Sequence, residues 1–115
     1  MDTFTVDIDR HGTVVVLRLH GELDMLTAPT LRDCLVVALA EFRSPTLVID
    51  AAALTFCDSS GLSVLLGGLS LAESAGGSLA LSAVDGRLLR LLQLTSLTER
   101  FQIFPTTQEA VTRLG

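Results

Sequence analysis

The sequence predicts a single α/β domain, spanning residues 1–115, in which a small mixed, partly parallel sheet of four to five strands is packed with about four α-helices. Three observations predict this fold class. A chain of 115 residues that is 49% hydrophobic can bury one core without disulfides or metal. Two apolar segments separated by a turn open the chain. Segments of helical and strand-like periodicity then alternate, as they do when helices connect parallel strands.

The opening segments indicate a β-hairpin. Residues 4–8 alternate apolar and polar side chains, which is typical of a half-buried strand near a sheet edge. Residues 10–12 form the expected turn. The β-branched and apolar residues 13–19 predict the partner strand, and the polar and glycine residues at 20–24 predict its end.

The next segment predicts the first helix. Its apolar residues recur at the spacing of one helical face, at Leu31, Cys34, Leu35, Ala38, Leu39 and Phe42. Thr27 is the expected N-cap, with Pro29 in the first turn, and Ser44 and Pro45 end the helix. The continuous apolar residues 46–49 then predict a strand that is buried on both faces.

The second half of the chain continues this alternation. A second helix follows residues 57–61, and its apolar face consists of Leu62, Leu65, Leu66, Leu69 and Ala72. The glycines at 76–77 are expected to end it in a left-handed turn. The remaining elements are predicted to be a strand at 79–81, a helix at 87–94, a strand at 101–104 and a helix at 109–114. Asp85 is the expected cap of the third helix, and Thr106 with Glu109 fits a capping box before the last one.

The charged residues exclude two classes of function. All eight basic residues are arginine, against thirteen Asp and Glu, and the formal net charge is −5. A nucleic-acid-binding surface needs a basic patch that this balance does not provide, so no nucleic-acid partner is expected. Without lysine the chain cannot form the G-x-x-x-x-G-K-[ST] loop that binds nucleotide phosphates, and no G-x-G-x-x-G motif follows a strand.

Hydropathy indicates the compartment. The apolar segments are too short and too interrupted to span a bilayer, which takes about 18 apolar residues. The first residues lack the basic and apolar stretches of a secretory signal. We therefore expect a cytoplasmic protein with no membrane contact.

The cysteines and histidines give no sign of a metal site. His11, His20, Cys34 and Cys57 lack the paired spacings of zinc ligands, and two cysteines do not make a disulfide framework. No metal and no cofactor is therefore expected. Cys34 falls on the apolar face of the first helix, where packing is its expected role. Cys57 precedes a helix N-terminus, which favours a thiolate, so a redox role for it stays open.

Two arrangements of side chains are similar to catalytic ones. Ser59 and Ser60 stand at a strand-to-helix turn, but D-S-S-G lacks the glycine two residues before the serine of a nucleophile elbow. A small serine hydrolase with His20 as base is therefore a disfavoured alternative. Glu22 and Asp24 lie close together in a predicted loop, where Asp24 is expected to bond nearby backbone amides. Partner contact by this pair is favoured over acid–base catalysis.

The D-S-S-G turn, residues 58–61, has a specific electrostatic character. Asp58 or Ser59 is expected to cap the second helix and to leave a serine hydroxyl exposed at the carboxyl end of the sheet. Phosphorylation there would add about −1.5 to −2 charges, which the helix dipole and free amides would stabilise. A partner surface shaped for a neutral hydroxyl would be repelled, so the turn could act as a switch without a conformational change.

An ordered series of motifs resembles a known family. The series consists of H-G-E-L-D at 20–24, Thr27-Ala28 with Leu31, L-V-I-D at 47–50 and F-C-D-S-S-G-L at 56–62. It is similar to the bacterial anti-sigma factor antagonists, the stand-alone members of the STAS domain family, and the similarity runs over essentially the whole chain. The resemblance implies a STAS-like fold, in agreement with the α/β sheet predicted from the elements.

The resemblance also implies a mechanism of partner switching. In the family, the unphosphorylated antagonist binds an anti-sigma factor, usually a serine/threonine kinase with a histidine-kinase-like ATP-binding fold, and so frees the sigma factor. The kinase then phosphorylates the first serine of D-S-S-G, here Ser59, and a serine phosphatase removes the phosphate. The antagonist is thus a substrate and not an enzyme. The implied partner-binding residues are Glu22, Asp24, Asp58, Ser59, Ser60 and Gly61.

The sequence leaves open which signalling system the chain serves, because a STAS domain can also serve an assembly other than sigma-factor control.

The helix at 87–94 carries leucines that cover nearly all of its surface, at Leu88, Leu89, Leu91, Leu92 and Leu94. Some of that surface must be exposed in so small a domain, so it is a candidate contact patch for a partner or for a homodimer.

Overall fold

The computed structural model describes residues 4–115 of the protein. A hairpin opens the fold, and helices and strands then alternate along the chain. The elements are β1 (Thr5–His11), β2 (Val14–Leu23), α1 (Ala28–Glu41), β3 (Thr46–Cys57), α2 (Ser59–Ser74), β4 (Ser78–Ser82), α3 (Gly86–Leu94), β5 (Gln102–Phe104) and α4 (Thr107–Leu114). None of the helices within residues 4–115 combines the length and the hydropathy that a membrane-spanning helix needs.

The five strands form one sheet in the order β1-β2-β3-β4-β5. β1 pairs antiparallel with β2, as the predicted hairpin requires, and β2, β3, β4 and β5 are parallel neighbours. One helix connects each parallel pair, so the order of the strands in the sheet follows their order in the chain. The predicted mixed, partly parallel α/β fold is confirmed.

Helices cover both faces of the sheet. The larger core cluster joins the sheet to α1, α2 and α3, and it includes Leu17, Ile49, Leu81, Leu31, Leu65 and Leu92. The smaller cluster joins Val16 of β2 and Val48 of β3 to Ala110 of α4. Because successive side chains of a strand point to opposite faces, the continuous apolar segments of β2 and β3 supply both clusters. The predicted burial of residues 46–49 on both faces is therefore confirmed.

The two central strands are longer than the sequence predicted. β2 continues to Leu23 instead of ending at Leu19, and β3 continues to Cys57 instead of ending at Ile49. Backbone pairing does not require apolar side chains, so the polar residues after Leu19 stay in the ladder, and register shifts beside His20 accommodate them. Leu23 and Cys57 consequently end the two strands as direct neighbours in the sheet.

The helix ends agree with most of the predicted signals. Thr106 Oγ1 accepts a hydrogen bond from the Glu109 amide at 3.1 Å, and Gly76 follows α2 with a left-handed φ of 77°. Asp85 occupies the predicted N-cap position of α3, but its side chain makes no capping hydrogen bond, so the prediction is right about the position and wrong about the bond. α3 is held instead by its buried leucines, which belong to the larger core cluster.

Leu65→Ala is expected to destabilise the domain, because Leu65 is fully buried where α2 packs on the sheet. Removing a buried leucine leaves a cavity, and we expect the free energy of unfolding to fall by about 2–5 kcal/mol. Leu71→Ala, at an exposed position of the same helix, is the matched control and is expected to change it by less than about 0.5 kcal/mol. Urea unfolding measures both values, and equal losses in the two variants would contradict the packing of α2.

Candidate functional site

The carboxyl ends of β2 and β3 bring two segments together. Leu23 pairs with Cys57 in the parallel ladder, and the Asp58 amide donates a hydrogen bond to the Leu23 carbonyl at 3.2 Å. The loop at 24–27 and the D-S-S-G turn therefore leave the sheet side by side. Ligand and partner sites of open α/β sheets commonly lie at this end of the strands.

Asp58 caps α2 and leaves the Ser59 hydroxyl free. The Asp58 Oδ1 atom accepts a hydrogen bond from the Gly61 amide at 3.0 Å, and the Asp58 carbonyl accepts one from the Leu62 amide at 3.0 Å. Ser59 is the first residue of α2 and is exposed. The Ser59 carbonyl accepts a bond from the Ser63 hydroxyl at 2.9 Å, whereas the Ser59 hydroxyl bonds no group among residues 4–115. Of the two residues predicted as caps, Asp58 is the cap, and Ser59 is accessible to a partner.

Gly61 lets α2 begin directly against the ends of β2 and β3. It is buried, and a Cβ atom there would lie 2.6 Å from Leu23 Cγ and 2.9 Å from Cys57 Sγ. Both distances are too short for non-bonded heavy atoms, so this close approach requires glycine. Gly61 therefore contributes to the site through packing, and Ser60 beside it is half-buried.

The loop after β2 is fixed by its own hydrogen bonds. The Asp24 Oδ1 atom accepts from the Leu26 amide at 2.9 Å and from the Thr27 amide at 3.1 Å, as expected for an aspartate in a turn. The Thr27 hydroxyl donates to the Glu22 carbonyl at 2.7 Å and accepts from the Asp24 amide at 2.9 Å. Thr27 is thus the N-cap residue of α1 by position, but its side chain fastens the loop instead of capping the helix. Glu22, predicted in the loop, lies within β2.

Met25 and Leu26 are exposed in this loop, with 71% and 82% of their surfaces accessible. They belong to no helical or strand-like apolar pattern, so sequence periodicity could not identify them. A fixed loop that holds two large apolar side chains in solvent, beside an exposed serine, favours contact with a partner protein.

A groove of about 320 Å³ lies between the start of α2 and α3, and its walls include Ser59, Arg87, Arg90 and Leu94. The guanidinium carbon of Arg87 lies 4.6 Å from the centre of the Phe56 ring, which is a cation–π contact. Leu94 is 70% exposed, so part of the leucine surface predicted for this helix does face solvent. The sequence analysis singled out the leucines of α3 and did not identify its arginines. Their spacing of three residues, which places them on one helix face, could have indicated them.

The alternative chemistries find little support at this site. Burial and the neighbouring Asp58 charge raise the pKa of the Cys57 thiol to about 12, so the thiol stays protonated at neutral pH and is a poor nucleophile. His20 Nε2 lies 3.0 Å from Asp7 Oδ2 across the hairpin, and none of the described residues that line the Ser59 groove is a histidine. The histidine base that the hydrolase alternative requires, His20, therefore does not line the groove at Ser59. Within residues 4–115, no group of three or more His, Cys, Asp or Glu could hold a metal ion.

Comparison with known proteins gives concordant results. Residues 5–110 match the model of the STAS domain. The chain is 32% identical over 109 residues to the anti-sigma F factor antagonist of Paenibacillus polymyxa, covering 95% of this chain and 93% of the relative. The crystal structure of an anti-sigma factor antagonist from Mycobacterium paratuberculosis has a TM-score of 0.87 at 32% identity, over 97% of this chain and 94% of that one. The phosphorylated form of the Bacillus cell-fate determinant SpoIIAA has a TM-score of 0.76 at 26% identity, over 98% and 100% of the two chains.

Gly61→Ala is expected to destabilise the domain by about 1–3 kcal/mol, because the added methyl group overlaps Leu23 and Cys57. Gly67→Ala, in the same helix, is the matched control, since a Cβ atom there meets no atom within 4 Å. Alanine favours the helix over glycine, so Gly67→Ala is expected to stabilise the domain by up to about 1 kcal/mol. Thermal unfolding should therefore give shifts of opposite sign. A Gly61→Ala variant as stable as the wild type would contradict the close packing of α2 on β2.

Proposed function

The chain belongs to the STAS domain family, and we propose that it is an anti-sigma factor antagonist that phosphorylation of Ser59 switches off. The observation that carries the proposal is the exposed, unbonded Ser59 hydroxyl at the start of α2, beside the loop that exposes Met25 and Leu26. The names of the similar proteins support it, since the relative from Paenibacillus polymyxa and the structure from Mycobacterium paratuberculosis are both anti-sigma factor antagonists.

The unphosphorylated protein binds its partner through the surface around Ser59. The proposed contact residues are Glu22, Asp24, Asp58, Ser59 and Ser60, together with Met25 and Leu26, and Gly61 supports them through packing. The partner is an anti-sigma factor that is also a serine/threonine kinase with a histidine-kinase-like ATP-binding fold. When the antagonist occupies this partner, the sigma factor is released, so the protein acts in the cytoplasm, where sigma factors engage RNA polymerase.

Phosphoryl transfer makes the chain a substrate of its own partner. The γ-phosphoryl group of kinase-bound ATP passes to Ser59 Oγ: the new O–P bond forms, the bond to ADP breaks, and the hydroxyl proton leaves to a base of the kinase. Ser59 is favoured over Ser60 because it is exposed, whereas Ser60 is half-buried. The chain needs no cofactor or metal of its own for this step. A serine phosphatase reverses the mark by hydrolysis.

The added charge explains release without a change of fold. A phosphoserine at position 59 brings about −1.5 to −2 charges next to Asp58, where the amides and dipole of α2 stabilise them within the domain. Hydrogen bonds of the Asp24 carboxylate fix the neighbouring loop, so its shape need not alter. A partner surface that accepted a neutral hydroxyl and apolar side chains now faces a charge whose desolvation weakens the complex.

Ser59→Ala is expected to abolish phosphorylation, because it removes the accepting hydroxyl. The purified protein is incubated with the anti-sigma factor kinase of the same organism and ATP, and the phosphate is located by mass spectrometry. The wild type and the matched control Ser60→Ala are expected to gain one phosphoryl group, and Ser59→Ala none. A phosphate on any other residue of the wild type, or on Ser59→Ala, would refute Ser59 as the switch.

Leu26→Ser is expected to weaken binding of the unphosphorylated protein to that kinase, because it removes an exposed apolar side chain from the contact surface. We expect Leu26 to be one of the few interface residues whose truncation costs more than about 1 kcal/mol, which corresponds to a loss of affinity of roughly fivefold or more. The control is Val37→Ser, which changes a half-exposed apolar residue of α1 outside the surface and is expected to leave affinity within about twofold. Isothermal titration calorimetry distinguishes the cases, and equal affinities of the two variants would remove Leu26 from the interface.

A further inference from the structure

Arg87 and Arg90 form a positively charged wall of the groove that begins at Ser59. The two arginines are three residues apart on α3, a spacing that puts them on neighbouring positions of one helix face. Two of the eight basic residues of an acidic chain are thus gathered beside one exposed hydroxyl. Neither has a carboxylate within 4 Å among the described residues, whereas Arg18 and Arg100 both form ion pairs.

The groove combines two guanidinium groups with apolar walls, and one of the guanidinium groups is held in place. The Arg87 guanidinium stacks on Phe56, and a stacked guanidinium keeps its N–H groups free to donate at its edge. Asp58 is the acidic residue that also lines the groove, and its Oδ1 atom is already engaged by the Gly61 amide. Ser59 and both arginines line this groove of about 320 Å³, a space larger than one phosphoryl group.

We propose that Arg87 and Arg90 bind the phosphoryl group of phosphorylated Ser59 and so stabilise the phosphorylated state of the domain. The proposal rests on the proposed function in taking Ser59 as the modified residue. Guanidinium groups bind phosphate oxygens through two parallel N–H···O bonds, and two guanidinium groups balance the two charges of a phosphate dianion. The N-terminal amides of α2 and the two arginines of α3 then bind the same phosphoryl group, so the phosphate interacts with the domain that carries it.

The test uses the full chain with phosphoserine incorporated at position 59 during translation, so it does not depend on any kinase. ³¹P NMR gives the second pKa of the phosphate in the wild type, in Arg87→Gln, in Arg90→Gln and in the double variant. A nearby cation favours the dianion, so each substitution is expected to raise this pKa, by about half a unit or more for the double variant. Arg113→Gln, on α4, is the control and is expected to leave the pKa unchanged.

Two results would overturn the proposal. One is a phosphate pKa equal to that of the same phosphoserine in an unstructured peptide. The other is a lowered pKa that is the same in the wild type and the double variant, since the amides of α2 alone would then account for it. If the kinase fails to modify Ser59 while the arginine substitutions shift the pKa, the proposed function fails and the anion site stands. If the kinase modifies Ser59 and the arginine substitutions leave the phosphate pKa unchanged, the anion site fails and the proposed function stands.

Discussion

The parallel pairing of β2 and β3 out to Leu23 and Cys57 is the constraint on which the site depends. The Asp58 amide extends this pairing by donating to the Leu23 carbonyl, and Gly61 packs against the Leu23 side chain. The loop after β2 and the first turn of α2 are therefore held at a fixed separation by backbone bonds and close packing. The proposed partner surface, which joins this loop to the start of α2, follows from that juxtaposition.

The site is arranged so that charge can change while shape does not. The Asp58 carboxylate is committed to capping α2, and the Asp24 carboxylate is committed to its own loop. Neither has to move when a phosphoryl group appears on Ser59. Arg87 and Arg90 have no acidic partner among residues 4–115, so they are the groups that gain an interaction with the phosphoryl group. Phosphorylation therefore changes the interaction energies of α3 and of the partner surface.

Hydrophobic periodicity predicted the order and type of the elements. Capping residues next to the helix starts predicted the Thr106 cap, and the cap expected at Asp58 or Ser59 is Asp58. These features depend on residues close together in the chain, which a sequence shows directly. The extension of β2 through His20 was missed because a paired strand at the centre of a sheet tolerates polar side chains. The arginines of α3 were missed because they share a groove with Ser59 only after folding, across a long separation in the chain.

Amide hydrogen exchange tests most directly whether the switch is one of local charge. It is compared between the unmodified protein and the protein that carries phosphoserine at position 59. A local change predicts altered protection only in the loop at 24–27, the first turn of α2 and α3, with β4, β5 and α4 unchanged. Altered protection across β4, β5 and α4 would show that the fold rearranges, and it would contradict a switch that acts through charge alone.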